Sequence, residues 1–146
     1  MFSLSRLNED NSPVPIPHIC KPERVGKDMT GRELHEFGLA LFTCYFSEQG
    51  CELFAMNMNP ENGAPDVMFW NPQKVLLYIW VKTDLAPIIP VYVPNETHEI
   101  IMKLCKEYHA VPSFASITIS CATPKDNLIP KCGSEYYAML NEFEKI

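Results

Sequence analysis

Between residues 30 and 50 the apolar positions Leu34, Phe37, Leu41, Cys44 and Tyr45 recur at helical spacing. Thr30-Gly31-Arg32-Glu33 ahead of them fits a capping box, in which hydroxyl and carboxylate satisfy each other's backbone amides, and Gly50 supplies a stop. A helix of about five turns is predicted. Residues 51–58 then alternate as a strand, with Leu53 and Ala55 on one face and Phe54 and Met56 on the other. Residues 59–63 are rich in turn formers. Two apolar runs over 65–84, joined by Asn71-Pro72-Gln73-Lys74, read as a hairpin. Its second run, 75–83, is apolar on both faces, as expected of an interior strand. Pro87 and Pro90 make the next apolar stretch an edge strand or an extended connection. A second helix is predicted from Asn95, with the stripe Ile100, Ile101, Leu104, Cys105 and Tyr108. Residues 113–122 alternate as a strand, so the intervening helix implies a right-handed parallel crossover. After a loop over 123–133 holding two prolines, Ser134 is expected to cap a last helix bearing Tyr136, Tyr137, Leu140 and Phe143.

The predicted class is α/β or α+β: a single mixed sheet of about four to five strands flanked by helices. Residues 30–146 form one domain, within the usual size for a single core. Residues 1–29 are polar, with the extended run Ser12-Pro13-Val14-Pro15-Ile16-Pro17, and read as an arm that packs along the domain or reaches a partner subunit.

Composition adds exclusions. With 47% hydrophobic and 21% charged residues the chain is globular in type, and no apolar run is long enough to cross a bilayer. The N-terminus lacks an apolar signal core, so a cytoplasmic location is expected. The net charge is −6, and residues 30–94 carry three basic against seven acidic groups. Nucleic-acid binders usually show a basic excess, which argues against such a partner. Six widely spaced cysteines read as reduced thiols. There is no CxxC and no paired Cys/His spacing, so His18 and Cys20 by themselves carry little weight as a zinc signal.

Two charges stand out in the hairpin. Asp66 opens its first strand and Lys82 lies near the end of its second, both in segments that otherwise read as buried. One account is a solvent-facing aspartate and a lysine reaching out from a strand end. The other is a functional pair. Alternation places Leu76, Tyr78, Trp80, Lys82 and Asp84 on one face of the second strand. His35, His98 and His109 read as surface residues.

Pro65-Asp66, the hairpin, and Lys82 with Trp80 at the acid position of an acid-x-lysine triplet together resemble the restriction-endonuclease-like, or PD-(D/E)xK, superfamily. The helix that ends in Ser47-Glu48-Gln49-Gly50 before the first strand resembles the same family. The resemblance spans roughly residues 30–122 and implies a metal-dependent nuclease, in which two carboxylates hold Mg²⁺ and the lysine assists the attacking water. On this sequence Asp66 would be a ligand, Glu36 or Asp84 would substitute for the acid replaced by Trp80, and Lys82 would be the catalytic amine. The family's helix glutamate falls near Leu39, one turn after Glu36. The missing acid and the acidic charge favour a non-catalytic descendant without a cofactor, a binding or regulatory protein that acts as a homodimer or with a protein partner. Mg²⁺-dependent DNA cleavage is the alternative.

Overall fold

A computed structural model describes residues 2–57, 63–123 and 129–146. The elements are β1 (Phe2–Ser3), β2 (Ile16–Pro17), a 3-10 turn (Pro22–Arg24), α1 (Gly31–Glu48), β3 (Glu52–Met56), β4 (Val67–Trp70), β5 (Leu76–Leu85), α2 (His98–Glu107), β6 (Val111–Cys121) and β7 (Glu135–Lys145). The class is mixed α+β, with one open sheet of seven strands and two helices among the described residues. The sheet order is β1-β7-β6-β5-β4-β3, and β2 also pairs with β7. The predicted turn at residues 59–62 lies outside the described residues, as do the last strand position, Met58, and Pro124 of the later loop.

The helix-strand-hairpin series folds as its pattern implies. Thr30 and Glu33 close the capping box in both directions, at 3.1 and 2.9 Å. Gly50 takes φ +88°, a backbone region that glycine enters without a steric penalty. β3, β4 and β5 are antiparallel neighbours. β5 and β6 are parallel, joined through α2 as a crossover. The proline-bearing stretch between β5 and α2 is an extended connection, tied to the sheet where Ser116 Oγ donates to Pro90 O and Thr118 Oγ1 to Ile88 O.

Three expectations need correction. The last element is strand β7, not a helix. Its burial alternates with period two, with Tyr136, Ala138 and Leu140 almost wholly buried. Tyr136, Leu140 and Phe143 also fit helical spacing, but the free edge of β6 offers a full ladder of backbone partners, and tertiary pairing overrides the weaker local preference. At the bulge opposite Ser116/Ile117 the extra residue is Asn141, whose amide donates to Ser116 Oγ and Thr118 Oγ1. The strand count rises to seven through β7 and two short N-terminal strands, so the N-terminal segment is tied to β7 at Phe2–Ser3 and Ile16–Pro17.

The third correction is the rotation of α1. Its buried residues are Phe37, Gly38, Leu39, Phe42 and Phe46, whereas Cys44 of the predicted stripe is exposed. The close approach of Gly38 to Thr83 sets this rotation: a Cβ at Gly38 would stand 1.9 Å from Thr83 Oγ1. α1 therefore lies flat on the face of the sheet formed by Val67, Phe69, Ile79, Val81, Ile117 and Leu140. On the other face Tyr78 meets Tyr108 at the end of α2, and Phe114 meets Tyr92 of the extended connection.

Candidate functional site

Asp66 sits one residue before β4, where the chain bends into the sheet. Its amide donates to Ile79 O and its carbonyl accepts from the Asn57 amide. Its buried side chain accepts the Val81 amide at 2.7 Å, replacing the next rung of the β4–β5 ladder. The second carboxylate oxygen lies 3.1 Å from His35 Nε2. The aspartate's hydrogen bond raises the His35 pKa against the opposing effect of burial, with a further push from Glu36. Both carboxylate oxygens are thus engaged by this chain's own groups.

Thr83 faces α1, and Val81, two residues earlier, belongs to the same core. Lys82, exposed, therefore points from the opposite face, together with Trp80 and Asp84. Asp66 meets α1 through His35, so the aspartate and the lysine are not brought together. Glu36 is not turned to Asp66 either; it is ion-paired with Arg32 at 3.0 Å on the outer side of α1. Leu39 is wholly buried in the core. Where a metal-dependent nuclease would need a second acid and an amine beside Asp66, β5 offers Val81 and Thr83. These residues do not fit Mg²⁺, which keeps most of its waters and is held by one or two free carboxylates, because the one carboxylate here is engaged at both oxygens.

His35, read from the sequence as a surface residue, is instead half-buried and turned onto Asp66. It lies on the same helical row as Leu39, Phe42 and Phe46, which a stripe drawn through Leu34 and Leu41 passes by.

A second group of polar side chains gathers at the other flank of α1. Residues 16–24 and the outer face of α1 enclose a cleft of about 930 Å³, lined among others by His18, Cys20, Arg24, Glu36, Leu41 and Cys44. At one wall the ligating atoms of His18, Cys20 and Cys132 all lie within 4.8 Å of one another. Cys132 Sγ donates to Glu33 Oε2 at 3.1 Å. Glu33 is also held by Arg24 at 2.7 Å and by the Thr30 amide. The guanidinium first, then the Thr30 amide and the Cys132 thiol, keep its carboxyl far below the usual carboxylate range. Burial, then the hydrogen bond to Glu33, pushes the Cys132 thiol up. Burial pushes His18 down, so its ring is neutral. Its Nδ1 accepts the Gly133 amide at 3.2 Å, which leaves the ring proton on Nε2 and the lone pair on Nδ1, facing the residue after Cys132. Cys132 carries no local sequence signal linking it to His18 and Cys20. The connection is made by the fold, through the Gly26–Cys132 and Lys27–Cys132 backbone bonds.

Among the described residues no helix is long and apolar enough to cross a membrane. No curated protein and no solved structure matches the chain. One family model does match, over residues 32–146, which takes in Glu33, His35, Asp66 and Cys132 and begins after His18 and Cys20. The chain belongs to that family, described as Domain of unknown function (DUF8840).

Proposed function

We propose that this chain is a non-catalytic descendant of the restriction-endonuclease-like fold and serves as a binding or regulatory protein. The element order supports the ancestry: a helix, three antiparallel strands, a crossover helix and a parallel fourth strand. One observation carries the loss of chemistry. The only carboxylate of the hairpin directed at α1 is Asp66, and both its oxygens are occupied by the Val81 amide and His35 while β5 presents Val81 and Thr83 beside it. Phosphodiester hydrolysis by this family needs two carboxylates on one metal and an amine near the water. Here the acid has become a brace between hairpin and helix, and the cleft over α1 is the concave surface left for a ligand.

Incubation with plasmid and branched DNA in Mg²⁺ or Mn²⁺ tests this. The expected result is no cleavage above that of Asp66→Ala. Metal-dependent cleavage abolished by both Asp66→Ala and Lys82→Ala would overturn the reading.

A further inference from the structure

We propose that His18, Cys20 and Cys132 form a zinc site that clamps the N-terminal segment to the start of β7 and opens onto the cleft. The inference does not depend on the nuclease ancestry. Zinc bonded to thiolates at ~2.3 Å and imidazole at ~2.0 Å in a tetrahedron requires ligand atoms roughly 3.5–3.8 Å apart. The three atoms already lie within 4.8 Å of one another, so inward side-chain movements on the order of 1 Å, with His18 giving up its hydrogen bond from the Gly133 amide, complete the triangle. Two of the three ligands are buried and Cys20 is half-buried, so the ion would be largely shielded from water.

The donor set selects the metal. Two thiolates and one imidazole suit Zn²⁺ and disfavour Mg²⁺ or Ca²⁺, which take oxygen ligands. Two thiolates also neutralise the dication, so the buried site carries no net charge. Binding releases the two thiol protons. The Cys132 thiol already donates its hydrogen bond to Glu33, which lines the cleft, and the released protons pass to water there. Arg24, which holds Glu33 and also interacts with Cys132, is the cationic donor left beside the thiolate once its proton has gone. With three protein ligands, the fourth position faces the cleft that His18, Cys20 and Glu33 line and is filled by water.

The full chain, purified under reducing conditions, should carry one equivalent of zinc per chain. Metal-stripped protein titrated with Co²⁺ should develop tetrahedral d–d bands and a thiolate-to-cobalt charge-transfer band. Cys20→Ser and His18→Gln should weaken Co²⁺ binding by more than about a hundredfold, because even outer-sphere changes cost ten- to a hundredfold. Cys44→Ser and Cys51→Ser should leave it unchanged. Cys132→Ser replaces a buried side chain and can fail to fold. The half-buried Cys20 therefore carries the test, with circular dichroism to show that the variant is folded. Absence of a charge-transfer band after Co²⁺ is added to the reduced, metal-stripped protein would overturn the proposal, as would a band undiminished in Cys20→Ser. A Cys20–Cys132 disulfide that persists through reduction and excludes Co²⁺ would also overturn it.

Discussion

Two groups of polar side chains flank α1, and they differ in the donor atoms they gather: carboxylate oxygens and an imidazole at one, two sulfurs and an imidazole at the other. At Asp66 an acid and an imidazole meet in the fork between hairpin and helix, and each carboxylate oxygen has a donor from this chain. At Cys132 a thiol, a second thiol and a neutral imidazole converge, and their mutual partners are few: the Glu33 carboxylate and the Gly133 amide. Buried polar groups are ordinarily satisfied by neighbours. A closed set such as Asp66–His35–Val81 is therefore read as architecture. A set rich in soft donor atoms calls for a cation. The same criterion separates a charge retained for folding from one retained for binding, which residue identity alone does not.

The largest effect expected from breaking this contrast is at Asp66. Asp66→Ala strands the buried Val81 amide and leaves His35 without its acceptor, and should cost about 3 kcal/mol by the usual penalties for orphaned buried partners. Asp66→Asn, which keeps an oxygen for the Val81 amide, should cost roughly half as much. Urea unfolding reads both. An Asp66→Ala variant as stable as the parent would show that the carboxylate is not a brace, and the comparison would fail on its architectural side.

Next in size is Gly38→Ala. The added Cβ would collide with Thr83 Oγ1, and also with Thr83 Cβ at 2.8 Å, so α1 must lift from β5. Overpacking of this kind costs about 2–3 kcal/mol. Thr83→Ala alone should be nearly neutral, since its buried hydroxyl has no hydrogen-bond partner. Combined with Gly38→Ala it should recover part of the loss, because one Cβ contact remains. Strict additivity in this double-mutant cycle would deny that Thr83 sets the helix position.

These two sites mark how far the chain's pattern could be read. The capping box, the hairpin and the crossover were legible because each is written in neighbouring residues: Thr30 with Glu33, Asn71 with Pro72, and alternating apolar runs on either side of α2. β7 was not, since Tyr136 and Leu140 satisfy both periods, Phe143 joins their face only through the bulge at Asn141, and the open edge of β6 decides between the two. The motif lysine failed for a related reason. Strand register has period two, so a pattern matched one residue off puts its side chain on the far face. Lys82 occupies such a position, and Thr83 the one facing the helix. Cys132 lay beyond reach altogether, because nothing local ties it to a pair of residues more than a hundred positions earlier.

A smaller effect is expected at the corner that carries Cys132. Tyr136 Oη donates to Lys131 O at 2.5 Å, fixing the carbonyl that precedes the cysteine. Tyr136→Phe should cost about 1 kcal/mol in metal-free protein, the ordinary worth of one buried hydrogen bond. If the zinc clamp exists, saturating Zn²⁺ should raise the melting temperature of parent and variant alike, because binding to the folded state adds the same stability to both. No Zn²⁺-dependent rise in thermal melts of either protein would count against a clamp at this corner.

The smallest effect is the pH dependence carried by His35, and its sign follows from its partner. Asp66 first, and Glu36 on the same helix to a lesser extent, raise the His35 pKa in the folded chain above the unfolded value of about 6.5. Between those two values the folded state holds the proton and the unfolded state has lost it. Stability therefore falls as pH rises through the window. The contribution is fully present below about pH 6.5 and gone above the raised folded value. Urea midpoints measured from about pH 5.5 to about pH 8.5 should decline across this window in the parent chain. His35→Gln should flatten that decline, and Asp66→Ala should flatten it as well, since the aspartate's hydrogen bond is the largest cause of the shift. A slope that survives in His35→Gln would belong to another group. A slope lost in His35→Gln but kept in Asp66→Ala would mean that the imidazole takes its proton's stabilisation from elsewhere, and the closed Asp66–His35 pair would lose its account.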